Sequence, residues 1–336
     1  PLELEVGYEL IPLVDAEQDG ELLDRIKSLR RQFALEMGII VPPLHIRDNL
    51  QLKPDEYSVL IKGVEVARGG LMMGYYLAMN PGTGVKEIKG IPTKEPTFGL
   101  PALWVAEIDK EMAKAAGYTV VDVTTVITTH LKEIIKTRAH ELLGRQEVQS
   151  LIDNLKESHP KVIEELIPNL LILGGVQKVL QNLLKERISI RDLLTILETL
   201  ADYASLTKDT DILTEYVRQA LARPITRQYL SPDGSIPVLT VDREIEDIIA
   251  SSIQQTSHGS YLSLEPGIAQ KILNRIKQGI ERFSVISTQP IILSSPKIRV
   301  HLKRLTERFI PNLVILSHNE ISQEAQIQAL GMVSLK

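Results

Sequence analysis

A long series of helices in the middle of the chain is the feature that most restricts the fold. Residues 125–222 predict one helix after another and no strand, because apolar residues recur there every three or four positions. Strand-like stretches rich in β-branched residues occur on both sides of this segment. The chain has 336 residues. Since one domain takes roughly 100–200 residues, the sequence predicts a multidomain protein of mixed α/β and α+β class.

The segment before the helical series predicts alternating strands and helices. Leu2 to Val14 reads as β-rich, and Asp19–Gly20 opens a helix that ends at Gly38. Strand-like stretches follow, and then a segment rich in glycine and proline runs from Gly69 to Leu100. The predicted helix has an apolar face that recurs at steps of three or four, formed by Leu22, Ile26, Leu29, Phe33 and Met37.

The segment after the helical series predicts a separate α/β domain. Strands IPVLTVD, PIILSS and LVILSHN alternate with helices after Arg223–Pro224, and the final residues AQIQALGMVSLK are expected to add an edge strand. Joins that contain glycine or proline absorb backbone rotation. We therefore expect movement between subdomains at Gly69–Gly70 and at Arg223–Pro224.

Composition excludes several classes of protein. The net charge of −5 gives no overall positive field for a polyanion, so no nucleic-acid partner is predicted. An RNA-binding alternative would require a strong salt dependence, and the sequence has no aromatic pattern typical of RNA-binding sheets. Cysteine is absent, which removes disulfides and sulfur-based zinc sites. No apolar run reaches the ~18–20 residues of a membrane helix, so we expect a soluble piece of a longer protein.

The usual catalytic and cofactor motifs are missing from the sequence. There is no HExxH zinc motif, no phosphate-binding GxxxxGK[ST] loop and no GxSxG nucleophile elbow. The stretch HIRDN at 45–49 is similar to a kinase catalytic loop, but the other kinase motifs do not accompany it. We predict no metal, no cofactor and no catalytic residue. One alternative stays open, a hydrolase-like α/β enzyme that uses His130 or Asp48 as a base.

The threonine-rich stretch GYTVVDVTTVITTHL at 117–131 predicts a joint between a strand and a helix. Thr119 fits the strand, and Thr124 or Thr125 is expected to cap the helix. Thr128 and Thr129 then fall in its first turns, while His130 and His140 are expected at the surface or half-buried. Farther along the chain, Ser189 is a predicted N-cap with Asp192 at the capping-box position.

Several stretches in this order closely resemble the cytoplasmic region of the FlhA family of flagellar export-gate subunits, whose relatives in virulence secretion include InvA and LcrD. The resemblance extends from Pro1 to about Val314. The stretches that carry it are LEVGYELIPLVD, HIRDN, EPTFGLPALW, GYTVVDVTTVITTHL, ELLGRQEVQSLID and VLQNLLKERISIRDLLTILETLADYA.

The resemblance implies a fold of four subdomains built partly from ferredoxin-like and thioredoxin-like α/β units. The first α/β subdomain takes 1–73 and 123–142, with an inserted subdomain at 74–122. A helical subdomain takes 143–222, and a C-terminal α/β subdomain takes 223–336. This architecture agrees with the breaks in pattern that the sequence itself contains.

The resemblance also implies a docking platform rather than an enzyme. Family members assemble into a ring, expected to be a nonamer, at the cytoplasmic face of the bacterial inner membrane, to which the full protein is anchored. They receive export chaperones with their substrates, and they meet other subunits of the export apparatus, including the export ATPase complex. A fragment without the membrane helices is expected to self-associate only weakly.

The family's chaperone site maps onto this sequence motif by motif. KEPTFGL places an acid at Glu95 and an aromatic anchor at Phe98, and TTHL places the binding threonine at Thr129. The family commonly has Asp where Glu95 stands. Pro81 and Val121 complete the implied site. The residues alone leave Phe98 open between a core aromatic and an exposed anchor with a polar rim, and the resemblance favours the anchor.

Overall fold

The computed structural model describes residues 2–18, 20–82 and 86–336. Asp19, at the predicted start of a helix, lies outside the described residues. The chain divides into two compact units, the first Pro1–Glu147 with Ser189–Arg191 and the second Val148–Ile188 with Asp192–Lys336. Both units contain helices and sheets, and this confirms the predicted mixture of α/β and α+β structure. The division into four subdomains remains a prediction.

The first unit begins with a four-stranded sheet of order β2-β1-β3-β4. Strand β1 pairs in parallel with β2 and antiparallel with β3, which in turn pairs antiparallel with β4. Helix α2 ends as predicted, because Gly38 has a φ of 74° that favours glycine. The elements are β1 (Leu2–Val6), α1 (Ile11–Val14), α2 (Leu22–Met37), β2 (Leu44–Asp48), β3 (Glu56–Ile61) and β4 (Val64–Gly70).

A second, fully antiparallel sheet follows in the same unit, with order β6-β7-β5-β8. A long helix, α4, leaves its edge strand and packs against strands of both sheets. Its apolar side recurs at helical spacing, so most of its length is buried on one face. The elements are β5 (Tyr75–Met79), β6 (Ile91–Lys94), β7 (Pro101–Ala106), α3 (Lys110–Ala115), β8 (Thr119–Val121) and α4 (Val123–Leu142).

The second unit contains most of the predicted helical series, from within α5 (Arg145–Lys156) onward, and a four-stranded parallel sheet of order β13-β12-β9-β14. The edge position of β14 confirms the prediction for the final residues. The helices are α5 (Arg145–Lys156), α6 (Pro160–Leu166), α7 (Leu173–Lys185), α8 (Leu193–Tyr203), α9 (Thr210–Ala220), α10 (Ala222–Tyr229), α11 (Arg243–Ser251), α12 (Pro266–Val285) and α13 (Arg299–Thr306), and the strands are β9 (Ser235–Val241), β10 (Ile253–Thr256), β11 (Gly259–Leu262), β12 (Ile291–Ser294), β13 (Val314–Ser317) and β14 (Gln326–Val333).

Two predicted helix caps are wrong, and in both cases an aspartate takes the position. Asp122 caps α4, because its carboxylate accepts a 2.8 Å hydrogen bond from the Thr125 N–H. Asp192 caps α8 in the same way. Ser189 instead donates its hydroxyl to the Glu36 carbonyl at 2.6 Å. In both helices the cap is therefore an aspartate that directly precedes the first helical residue.

Both predicted joins lie inside regular structure. Gly69 and Gly70 are the last residues of β4 and pair with Tyr57 and Glu56 of β3. Pro224 lies in the first turn of α10, where helix N–H groups have no intrahelical partner and proline costs little. The glycine and proline there are explained by local geometry. These two positions therefore give no support to movement between subdomains, which remains a prediction.

A buried cluster of charged side chains ties the helices of the second unit to its sheet. Arg299 of α13 donates to Glu186, after α7, at 2.8 and 2.9 Å, and to Glu215 of α9 at 2.8 Å. Arg218 of α9 donates to both carboxylate oxygens of Glu320 at 2.7 and 2.8 Å. Both guanidinium groups and Glu320 are at most 2% exposed. These five residues are called the ionic cluster below.

The charges of the ionic cluster keep one another ionised. Burial raises the pKa of Glu186, but Arg299 and Arg218 outweigh it and lower the pKa to about 2. Burial lowers the pKa of Arg299, yet the surrounding glutamates hold that pKa well above its usual value. Removing one arginine would leave its glutamate partners buried with less opposite charge around them.

Candidate functional site

The turn between β6 and β7 displays the predicted anchor. The Glu95 N–H donates to the Leu100 carbonyl at 2.7 Å, and the Gly99 N–H donates to the Glu95 carbonyl at 2.8 Å. Gly99 has a φ of 70°, which glycine adopts without strain. Phe98 stands at the tip of this closed turn with 66% of its surface exposed, and Leu100 beside it is 59% exposed. Phe98 is therefore not a core aromatic.

Glu95 lies beneath the turn instead of on a polar rim. It is only 6% exposed, and its two carboxylate oxygens accept hydrogen bonds from the Thr97 N–H at 2.5 Å and the Phe98 N–H at 2.8 Å. A carboxylate that accepts two backbone N–H groups is a strong local restraint. The acid fixes the conformation of the turn, and it offers little surface to a partner.

Two other predicted site residues can be placed from the register of the second sheet. Lys94 pairs with Pro101 next to the turn, and Met79 and Thr119 lie at the same end of the sheet. Pro81 is exposed and follows Met79 by two residues, so it emerges at the end that carries Phe98. Val121 is half-buried and lies farther along β8, away from that end.

Thr129 is exposed on the second turn of α4. The neighbouring Thr128 is occupied locally, because its hydroxyl donates to the Thr124 carbonyl at 2.5 Å. The beginning of the helix is also held by Arg25, which donates to the Thr125 hydroxyl at 2.9 Å and lies 3.8 Å from Asp122. Among the threonines in the first two turns of α4, Thr129 is thus the exposed one.

His130 is buried, and the prediction of a surface or half-buried histidine is wrong. It is 6% exposed because it falls on the apolar face of α4. Its Nδ1 shares a 2.6 Å hydrogen bond with the Tyr57 hydroxyl of β3, and the tautomer decides which atom donates. The two rings meet edge to face, with centroids 5.7 Å apart.

Burial and one carboxylate control the titration of this pair. Burial lowers the pKa of His130, while the nearby Glu95 charge opposes the shift without reversing it. For Tyr57, burial and the Glu95 charge both raise the pKa of the phenol. The pair is therefore neutral near pH 7. Tyr57, His130 and Glu95 are called the polar triad below.

Sequence reasoning missed Tyr57 and Thr97. Tyr57 comes from a strand 73 residues before His130, and no local pattern joins the two. Thr97 carries a buried hydroxyl that, in the described part of the chain, has no hydrogen-bond partner. For the helix cap, a signal was present in Asp122, two residues before Thr124, since aspartate is a better N-cap than threonine.

The geometry suits binding rather than chemistry. An exposed aromatic ring on a restrained turn provides apolar area without an ordering cost. Asp48 is exposed at the end of β2, while the His130 Nδ1 is already engaged by Tyr57. Within residues 2–18, 20–82 and 86–336, no group of three metal-ligating side chains comes together. No helix in those ranges is both long and apolar enough to span a bilayer.

Comparison with known protein families gives one strong match. The model of the FHIPEP family matches residues 1–326. The chain is 51% identical over 335 residues to the flagellar biosynthesis protein FlhA of Bacillus subtilis, covering 100% of this chain and 50% of that protein. The corresponding Escherichia coli protein is 42% identical and is covered to 48%. The chain thus spans about half the length of the curated relatives it matches.

Solved structures share the fold over nearly the whole chain. The Chlamydia pneumoniae CdsV protein aligns with a TM-score of 0.85 at 30% identity, covering 99% of this chain and 98% of that one. CdsV in complex with CdsO aligns with a TM-score of 0.87 at 30% identity, covering 99% and 97%. The nonameric SctV-C of EPEC aligns with a TM-score of 0.80 at 27% identity, covering 99% and 98%.

Proposed function

This chain belongs to the FHIPEP family, and from that membership we propose that it is the docking platform of a flagellar type III protein export gate. In this role it binds complexes of an export chaperone with its substrate and forms a ring for ordered export. The high identity to flagellar FlhA proteins over the whole chain supports the flagellar assignment.

A structural role is also favoured over an enzymatic one. Proteins of this family are structural components of secretion systems. The hydrolase alternative needs an accessible base, whereas His130 is buried against Tyr57 and Asp48 is an exposed residue at the end of a strand. Neither arrangement activates a nucleophile.

The observation that carries the proposal is the exposure of Phe98 on a turn that is held from below. A partner that covers Phe98 and Leu100 removes two large apolar side chains from water, and the Glu95 hydrogen bonds have already ordered the turn. Pro81 at the same end of the sheet and the exposed Thr129 extend the surface that we assign to the chaperone.

The proposed assembly is a homo-oligomeric ring, with a nonamer as the expected size. The nonameric EPEC SctV-C, which shares this fold at 27% identity, supports that number. CdsV is seen in complex with CdsO. By analogy, we assign further subunits of the export apparatus, including the ATPase complex, as partners of the ring at the cytoplasmic face of the inner membrane.

The decisive experiment replaces the anchor and measures binding. Phe98→Ala should weaken binding of a purified flagellar export chaperone–substrate complex by about 2–4 kcal/mol, the range of a hot-spot truncation. Isothermal titration calorimetry provides the affinity. Phe309→Ala is the matched control, because Phe309 is also exposed, at 54%, but lies in the second unit.

The other site residues refine the result. Thr129→Ala should weaken the same binding more mildly, and its effect should not simply add to that of Phe98→Ala, because both residues serve one partner. Equal affinity of the wild type, Phe98→Ala and Phe309→Ala would locate the chaperone elsewhere and remove this surface from the proposal.

A further inference from the structure

Helix α3 and the 3₁₀ turn before it, Glu107–Asp109, carry their large apolar side chains on the solvent side. Ile108 is 90% exposed, the highest value among the large apolar side chains of the described residues, and Met112 is 66% exposed. The residue that packs onto the second sheet is the small Ala113, which is buried in one cluster with Val105. A surface helix normally has the opposite arrangement, with its large apolar residues toward the core.

The exposed apolar residues of this segment form one row. Ile108, Met112 and Ala115 are separated by four and three positions, and residues at this spacing lie above one another on a helix. All three are exposed. The helix is closed at its end, where the Tyr118 N–H donates to the Ala113 carbonyl at 3.1 Å. The row is called the α3 stripe below.

Carboxylates border the α3 stripe. Glu107 and Glu111 each precede a residue of the row by one position, so both lie on the same side of it. Glu111 forms an ion pair with Lys114 at 3.6 Å, but the two side chains are 82% and 46% exposed, and such a pair contributes little in water. Both glutamates are therefore accessible to a cation on a partner.

The other lysine of α3 is turned away from the stripe. Lys110 is two positions from both Ile108 and Met112, which places it about 160° around the helix at 100° per residue. Its Nζ lies 4.4 Å from the centre of the Tyr76 ring in the second sheet. The charge that borders the α3 stripe is therefore negative.

The α3 stripe and the chaperone surface begin at opposite ends of one strand. Strand β7 starts at Pro101, next to the turn that displays Phe98, and ends at Ala106. Ile108 follows Ala106 by two residues. The stripe is thus an apolar surface separate from Phe98.

Charge argues against a second copy of the chain as the occupant of the stripe. Two copies that packed stripe against stripe would bring their glutamate borders together, and like charges facing each other across an interface are unfavourable. A row at helical spacing packs well against the row of another helix. A helix whose own row is bordered by cations would pair with Glu107 and Glu111 instead of opposing them.

We propose that the α3 stripe docks an amphipathic helix of a partner protein, with an apolar row bordered by lysine or arginine. The proposal goes beyond the chaperone surface at Phe98 and does not depend on it. Since α3 has only six residues, the contact buries little surface and is weak and transient.

Two synthetic peptides of about 18 residues test the chemistry of the occupant. Both have leucine at positions a and d of a heptad repeat, and positions e and g are lysine in one and glutamate in the other. In NMR spectra of the labelled chain, the lysine peptide should cause saturable shifts of the Ile108 and Met112 amides. The glutamate peptide should cause none. Equal shifts with both peptides, or no shift with either, would overturn the proposal.

Substitutions in the stripe separate docking from folding. Ile108→Ser and Met112→Ser should each weaken binding of the lysine peptide by about 10-fold, the factor expected when one large apolar side chain is no longer covered. The melting temperature should not change, because both side chains are exposed. Leu50→Ser is the matched control, since Leu50 is 81% exposed in the same unit. Equal losses of affinity in Leu50→Ser and Ile108→Ser would contradict a site at the stripe.

Reversal of the border tests the charge of the partner. Glu107→Lys combined with Glu111→Lys should weaken binding of the lysine peptide by about 3- to 10-fold and allow the glutamate peptide to bind. Glu9→Lys combined with Glu17→Lys changes the net charge equally at exposed positions of the same unit, and it should keep the preference of the wild type. An unchanged preference in the stripe variant would overturn the basic character of the occupant.

Photo-cross-linking in cells identifies the natural partner of the full-length protein. Benzoylphenylalanine in place of Ile108 should form an adduct with a helical segment whose apolar row is bordered by lysine or arginine. The same group in place of Leu50 should not form that adduct. Absence of an adduct at position 108, an acidic segment, or a second copy of this chain would each overturn the proposal.

The two docking surfaces can fail independently. Phe98→Ala should bind the lysine peptide as the wild type does, and Ile108→Ser should bind the chaperone–substrate complex as the wild type does. If Phe98→Ala leaves chaperone binding unchanged, the chaperone assignment fails and the α3 stripe is unaffected. If Ile108→Ser weakens chaperone binding, the stripe is part of the chaperone surface and the proposal of a separate partner is overturned.

Discussion

The two units bury polar groups in opposite ways. The ionic cluster of the second unit gathers two arginines and three glutamates, with each guanidinium bonded to carboxylates at 2.7–2.8 Å. The polar triad of the first unit has one neutral tyrosine–histidine pair and a carboxylate satisfied by backbone N–H groups. The first arrangement is held by charges that keep one another ionised, whereas the second contains a histidine whose pKa is lowered by burial.

The two arrangements differ in how much they stabilise the fold and in how they respond to protonation. Charges that neutralise one another inside a protein resist small changes, but they fail together when one is lost. A neutral hydrogen-bonded pair contributes less and responds to one proton. The second unit is therefore built to hold helices against a sheet, and the first unit keeps its sensitive groups beneath an exposed turn.

The largest expected effect is the loss of one arginine from the ionic cluster. Arg299→Ala should destabilise the protein by about 3–5 kcal/mol, because Glu215 loses its arginine partner and Glu186 keeps only Arg218. Urea denaturation followed by hydrogen exchange of the second unit measures the change. Arg304→Ala is the control on the same helix, since its pair with Asp211 is exposed and contributes about 0–1 kcal/mol. Equal losses of stability in the two variants would show that the ionic cluster stabilises the protein no more than the Arg304–Asp211 pair does.

A moderate effect should appear in both units as the pH falls. Burial lowers the pKa of His130 and of His301 below their usual value. A lowered histidine pKa gives stability that is fully present above pH ~6.5 and is lost as the pH falls toward the folded value, by at most about 1.4 kcal/mol per pH unit for each group. Denaturation at several pH values should show this slope, and His130→Asn and His301→Asn should each flatten it.

The carboxylates respond in a lower window. The pKa of Glu186 is lowered to about 2, so its contribution is present above the unfolded value and is lost only as the pH falls toward 2. The ionic cluster should therefore stay intact while the histidines titrate. Stability that is constant from pH 7.5 to 5 would contradict the assignment of neutral buried histidines.

The smallest effect concerns a hydroxyl without a partner. Thr97→Val removes a buried polar atom that gains no hydrogen bond in the described structure, so it should stabilise the protein by about 0–1 kcal/mol. Thr306→Val is the contrasting variant, because the Thr306 hydroxyl donates to the Leu302 carbonyl at 3.0 Å. It should cost about 1 kcal/mol. Thermal melts of both variants decide the comparison, and a clear loss in Thr97→Val would indicate a partner for its hydroxyl.

Periodic features of the fold were predictable from the sequence, and contacts between distant segments were not. The stripe from Leu22 to Phe33 and the glycine at 38 define α2 because both are local. By contrast, Arg218 and Glu320 are separated by 102 residues, and nothing near either one indicates the other. The caps at Asp122 and Asp192 were within reach, but threonine and serine nearby gave competing signals.

The candidate site was likewise predictable in part: the sequence indicated which residues belong to it, but it did not indicate which of them are buried. Resemblance to a family supplied Phe98 and Thr129, and both are exposed in the structure. It also supplied Glu95, but an acid in a sequence motif does not reveal whether it faces solvent or the backbone of its own turn. The burial of His130 followed from its place on α4, where a polar residue among apolar neighbours is hard to distinguish from one at the border of the stripe.

Strand β14 pairs with β9 and thereby covers an edge of β9 that would otherwise be unpaired. Strand β14 covers β9 along seven paired positions, and Ile236 and Val238 of β9 are completely buried. Deletion of β14 would convert β9 from an interior strand into an unpaired sheet edge, the kind that pairs with strands of other molecules. The family model already stops at residue 326. The protection of this sheet edge from intermolecular strand pairing therefore depends on eight uncharged residues that lie almost entirely beyond the family match.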